Sequence, residues 1–377
     1  MSRLKLMTII GTRPEIIRLS ACFKAFDEAF EHTLVHTGQN YDYGLNGIFF
    51  EQMGLRAPDH SLEAAGGDLG ETIGNIISGS YKLIKSVSPD ALLILGDTNS
   101  ALSAISAKRL HVPVFHMEAG NRCFDQNVSE ELNRRIVDHI ADVNLPYTER
   151  ARQNLLAEGI PGEYIFVTGS PMPEVLGMFA PQIESSAILK TMGLKSGEYI
   201  LFSSHREENM ENEANFFSLV GTANGVAART GLPVVWPAHP RSAKMIKEKG
   251  CELGPLVRVV PPLGFFDFVC LQKNAYCVLS DSGTLAEESA VLGFPAVSIR
   301  TSTERPEAVE AGTMIMGGVS GPGILRAAEL AVGAFKKGRR PAPPADYLRT
   351  DVSARVTGII QGYTGVVNKR VWNKGGA

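Results

Sequence analysis

The sequence predicts an α/β protein of two doubly wound domains, each a parallel sheet covered by helices on both faces. Three observations carry this. Short apolar runs alternate with longer amphipathic ones along most of the chain. The short runs are continuously apolar rather than alternating, as parallel strands buried on both faces are. The 377 residues suffice for two domains of ordinary size.

In the first half the strand runs are 4–10, 32–37, 91–96, 112–117, 143–147 and 164–168. In the second half they are 198–203, 233–237, 257–260, 276–280 and 295–299. Helical patterns lie between most of them. "NSALSAISAKRL" at 99–110 places its apolar residues at helical spacing. Three prolines and small residues in "GSPMPEVLGMFAPQ" at 169–182 interrupt the periodicity and divide domains 1–170 and 171–350. "PAPP" at 341–344 reads as a crossover segment, and 351–377 as a tail with a helical start. Ligands of open α/β sheets bind at the carboxyl ends of strands, so the chemistry is sought there.

Composition narrows the function. Hydrophobic residues make up 44% and charged residues 20%, and the formal net charge is −3. That charge gives no case for nucleic acid or an anionic membrane, so an anionic ligand needs a local basic site. No apolar run approaches the ~20 residues of a membrane span. The N-terminus shows no signal-peptide cleavage site. Five cysteines without a C-x-x-C pair suggest reduced thiols in a cytoplasm and no zinc or iron–sulfur site.

"GTRPEI" at 11–16 follows the first strand and opens a helix. A helix N-terminus with Arg13 suits a pyrophosphate; the other reading is a turn with a surface arginine. Arg18, one turn on, faces the same pocket or solvent. "SDSGTLAEES" at 280–289 follows another buried strand. Backbone N–H groups and hydroxyls of Ser282, Gly283 and Thr284 could hold a diphosphate, with Glu287 or Glu288 on ribose hydroxyls. Helix capping is the competing reading. In "SSHREEN" at 203–209, His205 is either a phosphate ligand or acid, or a satisfied polar residue; His239 sits in an equivalent place.

"GDTNS" at 96–100 makes Asp97 a helix N-cap or a catalytic carboxylate. The second reading gains from "HMEAGNRCFDQNVSEELNRRIVDH" at 116–139. Neighbouring strands would set Asp97 and Glu118 at one edge. A helix then starts with Asn127 or Ser129 as cap. Glu130 and Arg134 are four apart, as are Glu131 and Arg135, and Arg134 and Asp138. A solvated, ion-paired face is one reading. Convergence of Asp97, Glu118 and Glu130 on a cleft is the other, with Arg122 and Arg134 orienting them. Like charges held close separate their proton affinities, as an acid/base pair requires.

With these stretches assembled, the chain resembles the non-hydrolysing UDP-N-acetylglucosamine 2-epimerase family from residue 4 to about 360. The resemblance rests on "GTRPE", "TGQNYD" (37–42), "GDTNS", "HMEAGNR", "EELNRR", "SHREEN", "SDSG…EE" and "TERPEAVEAGT" (303–313), in that order. It implies two Rossmann-like domains of glycosyltransferase-B type, an active site in the interdomain cleft, and a C-terminal helix crossing back to the first domain. It implies diphosphate contacts for Arg13, His205, Ser282 and Gly283, a ribose contact for Glu288, and Phe268 near the uracil. It implies catalytic or sugar-side roles for Asp97, Glu118, Glu130, Arg134 and His205, with Gln39 and Arg305 near the sugar.

The implied reaction uses no metal and no redox cofactor. The implied enzyme is a cytoplasmic homodimer acting on a UDP-2-acetamido sugar. Where members commonly have a lysine after "GTRPE", this chain has Arg18, and the usual G-N-x-x-x-D linker reads "GSPMPEV". That departure, with "GTRPEIIRLS", "EAGNRCFDQ" and "LQKNA", looks like the branch forming UDP-N-acetyl-L-fucosamine from UDP-2-acetamido-2,6-dideoxy-L-talose. The parent activity on UDP-N-acetylglucosamine, a hydrolysing relative, a glycosyltransferase and a non-catalytic sensor are the alternatives. Three carboxylates close together argue against a sensor of an anionic ligand.

Overall fold

The computed structural model describes residues 3–39, 49–204, 213–238 and 240–374. Its contacts divide the chain into Met1–Met178 with Leu348–Ala377, and Phe179–Tyr347.

The first unit holds β1 (Lys5–Ile10), β2 (Glu31–His36), β3 (His60–Ser61), β4 (Ala91–Leu95), β5 (Val114–Met117) and β6 (Val143–Leu145). They form one parallel sheet in the order β3-β2-β1-β4-β5-β6. Between and after them run α1 (Arg13–Ala29), α2 (Leu69–Val87), α3 (Ala104–Arg109), α4 (Ser129–Ile140), α5 (Glu149–Ala157) and α6 (Met172–Met178). The apolar strands are buried on both faces: all five residues of β4 are enclosed. One face packs Met7, Ile9, Leu92, Ile94 and Val114 against Ala101, Ala107 and Val137. The strand order reverses between β1 and β4, and the loops leaving these two strands border the crevice.

The second unit has β7 (Ile200–Ser203), β8 (Val234–Pro237), β9 (Val257–Val260), β10 (Cys277–Ser280), β11 (Ala296–Ser298) and β12 (Ile315–Met316). Their order, β12-β11-β10-β7-β8-β9, repeats the same winding, with its switch point between β7 and β10. The helices are α7 (Ala180–Glu184), α8 (Ile188–Thr191), α9 (Glu213–Thr230), α10 (Pro240–Glu248), α11 (Phe265–Asn274), α12 (Leu285–Leu292), α13 (Pro306–Glu310) and α14 (Gly321–Lys336). Phe202 and Trp236 meet edge to face at 4.7 Å in its core.

The last helix, α15 (Val352–Arg370), belongs to the first unit. Val352, Val356, Ile360, Thr364 and Val367 make its buried stripe at helical spacing, and it packs along α1. The carboxylate of Glu174 accepts the Ser353 N–H at 2.9 Å and the Ser353 hydroxyl, which satisfies this helix start. Trp372 stacks on His111 at 4.3 Å beyond its end.

Four expectations differ. The first division falls after Met178, not residue 170, because α6 packs on α1 and bonds α15. Pro173 lies in the first turn of α6, where a missing N–H costs nothing. Residues 99–110 form a 3₁₀ helix over Asn99–Ser103 before α3, not one α-helix. Run 164–168 makes only a bridge from Ile165 to Asn144. Two-residue β3 and β12 are too short to leave a pattern. Among the described residues no helix is long and apolar enough to cross a membrane.

Candidate active site

At the first switch point a buried carboxylate joins two loops. Glu15 accepts from the Gly11 N–H at 3.0 Å and the Thr12 hydroxyl at 2.8 Å, both after β1. It also accepts from Thr98 at 3.2 Å and Ser100 at 2.6 Å, both after β4. Burial holds its carboxyl above the usual carboxylate range, and the hydrogen bonds offset only part of that rise. A Cβ on Gly11 would stand 2.5 Å from the Thr37 hydroxyl and 2.9 Å from the Gln39 amide, so a larger residue would crowd both side chains. Arg13 is half-buried at the start of α1, with its guanidinium 5.8 Å from the Phe49 ring centre.

Leu95 of β4 is in register with Met117 of β5. Asp97 and Glu118 therefore leave neighbouring strands at the same edge. Glu118 is buried with φ +65°, a left-handed conformation uncommon for a residue with a side chain. Its N–H donates to the Leu145 carbonyl at 3.1 Å. Its carboxylate accepts from Arg18 and, at 3.3 Å, from the Asn121 amide. Arg18 thus faces inward onto Glu118 rather than into solvent.

Asp97 caps no helix; Thr98 holds that position. Its carboxylate accepts from Arg134, and its backbone carbonyl accepts from Asn133 at 3.0 Å. Arg134 also donates to buried Glu131 at 2.5 Å. Glu130 is half-buried in the first turn of α4 and accepts from Ser129 at 3.0 Å. Neither Asn127 nor Ser129 caps α4: the cap position is Val128, after a turn in which Asp125 accepts the Asn127 N–H at 3.0 Å.

The expected role of Arg122 in orienting Asp97 and Glu118 is corrected. Its fork donates to Glu158 at 2.8 and 2.6 Å, to Asp138 at 2.7 Å and to the Asn121 carbonyl at 2.7 Å. It therefore ties the loop after β5 to α4 and to the end of α5. Asp138 also accepts the Gly120 N–H at 3.2 and 3.1 Å and lies 2.9 Å from the buried His116 ring.

In the second unit the Ser204 hydroxyl donates to buried Asp281 at 2.8 Å, joining the ends of β7 and β10. Ser282 and Thr284 hydroxyls bond each other at 2.9 Å; Thr284 is the N-cap of α12 but makes no side-chain capping hydrogen bond. Beside them runs a buried row of alternating charge. Arg300 donates to Glu304 at 2.7 Å, Arg305 donates to Glu304 at 3.0 Å, and Arg305 pairs with Glu287 at 3.1 Å. A Cβ on Gly283 would stand 2.5 Å from Glu304 and 2.8 Å from Arg305, so the row presses directly on this turn. Glu288 is buried and accepts from Gln272 at 2.6 Å. Phe268 is half-buried on α11. His205, His239 and residues 40–42 of "TGQNYD" lie outside the described residues.

Within the first unit the structure brings Arg18 to Glu118 and Arg134 to Asp97; within the second it brings Arg305 to Gly283. Sequence reasoning missed Glu15, Glu131 and Glu304 as organisers. Glu15 left one signal, a carboxylate in the first turn of a helix behind a glycine loop.

A family model described as UDP-N-acetylglucosamine 2-epimerase matches residues 24–361. A structure of UDP-N-acetylglucosamine 2-epimerase from Rickettsia bellii superposes with a TM-score of 0.92 at 43% identity, covering 99% of this chain and 100% of that one. The Methanocaldococcus jannaschii UDP-GlcNAc 2-epimerase, solved in complex with UDP-GlcNAc and UDP, gives 0.89 at 31% identity over 95% and 100%. The UDP-2,3-diacetamido-2,3-dideoxy-D-glucuronate 2-epimerase of Pseudomonas aeruginosa is 34% identical over 336 residues, 88% of this chain and 93% of that protein. This chain belongs to the UDP-N-acetylglucosamine 2-epimerase family.

Proposed function

We propose that the protein inverts C2 of a UDP-2-acetamido sugar by anti elimination and re-addition of UDP. The observation that carries this is the pair Asp97 and Glu118, leaving adjacent strands, each held by an arginine. One carboxylate takes the C2 proton as the C1–O bond breaks, giving a 2-acetamidoglycal and UDP. UDP then returns to C1 and a proton reaches C2 from the other face. The first unit supplies the proton carriers; the second supplies the Ser282–Gly283 turn and Arg305 for UDP. In heavy water the product should carry deuterium at C2, read by proton NMR; product without it would rule out proton abstraction there.

We assign the finer substrate as UDP-2-acetamido-2,6-dideoxy-L-talose, converted to UDP-N-acetyl-L-fucosamine. The resemblance also supports a cytoplasmic homodimer serving capsule or O-antigen synthesis. Of the two departures behind this branch, Ser170–Glu174 is occupied with packing, since Glu174 holds α15. Asn121 and Cys123–Gln126 keep their weight, because Asn121 touches Glu118. A pocket fitted to a C6 methyl would strip water from the 6-hydroxyl of N-acetylglucosamine, costing about 1–3 kcal/mol. Side-by-side assays should then favour the 6-deoxy-L-talose derivative by roughly 5- to 150-fold, at about 1.4 kcal/mol per tenfold. Equal or better efficiency with UDP-N-acetylglucosamine would establish the parent activity, which the names of the relatives favour.

The UDP half is tested separately. Arg13→Ala and Ser282→Ala should weaken UDP binding by roughly 5- to 150-fold, the cost of a lost polar contact, with turnover at saturation little changed. Unchanged UDP affinity by calorimetry would remove these residues from the diphosphate site.

A further inference from the structure

We propose that Glu131 is a positioning residue for the C2 chemistry, acting through Arg134 on Asp97. This rests on the reading of Asp97 as a proton carrier. Glu131 is 1% exposed and Arg134 2% exposed, whereas the Asp97 side chain keeps 18% of its surface open. The guanidinium is shared: one nitrogen donates to Asp97, the other to Glu131 at 2.5 Å. The same Glu131 oxygen accepts the Cys123 N–H at 3.1 Å, so it also fixes the loop that begins at Glu118. Asn133, next to Arg134, holds the Asp97 carbonyl. Helix α4 therefore grips Asp97 by backbone and side chain together, and Glu131 sets the inner end of that grip.

The chemistry follows from the sharing. With two carboxylates on one guanidinium, Arg134 aims Asp97 without giving it the whole of its charge. Without the charge of Glu131, Arg134 would hold the Asp97 anion more tightly and make it a poorer proton acceptor. Glu131 meets the Cys123 N–H and Arg134, and its effect on Asp97 passes through Arg134.

The test is a double-mutant cycle on the full chain, with turnover and UDP affinity measured for each protein. Glu131→Gln keeps the shape and the hydrogen-bond acceptor but removes the charge. It should lower kcat by about tenfold with KM and UDP affinity within about twofold, and the loss should shrink to under about twofold in an Arg134→Gln background. Glu131→Asp, which restores the charge, should recover rate above Glu131→Gln. UDP affinity on the same preparations reports that each variant is folded. Native kcat in Glu131→Gln, equal fold losses in both backgrounds, or UDP binding lost in step with rate would overturn the proposal. Near-native turnover in Asp97→Asn would instead overturn the assignment of Asp97, and this inference with it.

Discussion

Asp97→Asn and Glu118→Gln will each lose turnover by roughly 10²- to 10⁴-fold, the usual worth of a positioned acid or base, while UDP affinity stays near native. Both substitutions keep side-chain volume and remove the ability to carry a proton at physiological pH. Both acids belong to the first unit, and the Ser282–Gly283 turn proposed for UDP belongs to the second. Each change also removes a negative charge facing a buried arginine, Arg134 or Arg18, so stability will fall somewhat. UDP titration separates the two effects, because a partly unfolded protein loses binding and rate together. Near-native turnover in either variant, or parallel loss of rate and UDP affinity, would withdraw that residue from the chemistry.

Gly120→Ala will destabilise the first unit by about 3 kcal/mol or more, the range of a forced overlap in a packed core. Gly120 lies two residues after Glu118, at φ +81°. A Cβ would overlap the Ala151 carbonyl, which is helix backbone, and stand 2.8 Å from Leu155 Cγ. The residue is held on both sides, by Asp138 on its N–H and by Asn154, which donates to its carbonyl at 2.9 Å. It has no direction in which to yield. Gly159, at φ +85° with open space around it, is the control. Gly159→Ala meets only the left-handed backbone cost of roughly 1–2 kcal/mol. Thermal unfolding compares the two; equal drops would show that the contact with α5 carries no weight.

The fold was largely legible because buried parallel strands are written as uninterrupted apolar runs. Among the described residues, ten of the twelve strands overlap the predicted runs, and the missed two are edge strands of two residues. The switch-point loops were legible for a related reason: glycine and charge directly after an apolar run mark a strand end. Which charge does what was less legible. The spacing of α4 offers Glu130 as the partner of Arg134, but the helix starts from Val128 and turns Glu131 inward. Neighbouring residues on a helix point about 100° apart, so one residue of uncertainty at the start exchanges their roles. Arg122 read as an orienting cation because nothing in the sequence places Glu158 beside it. Long-range partners of this kind are decided by topology, and the pattern of nearby residues is silent on them.

The return of α15 to the first unit has a consequence for synthesis. Translation runs from the N-terminus, so the first sheet and α1 are made long before the helix that covers them. Phe179–Tyr347, a whole second unit, is made in between. Until then the surface that will bury Val352, Val356, Ile360 and Val367 stands open on the ribosome, and Glu174 awaits Ser353. The N-terminal unit thus behaves as a host that receives an inserted domain and is sealed last. The nascent chain exposes apolar surface for most of its synthesis time, the interval in which chaperones bind and aggregation competes.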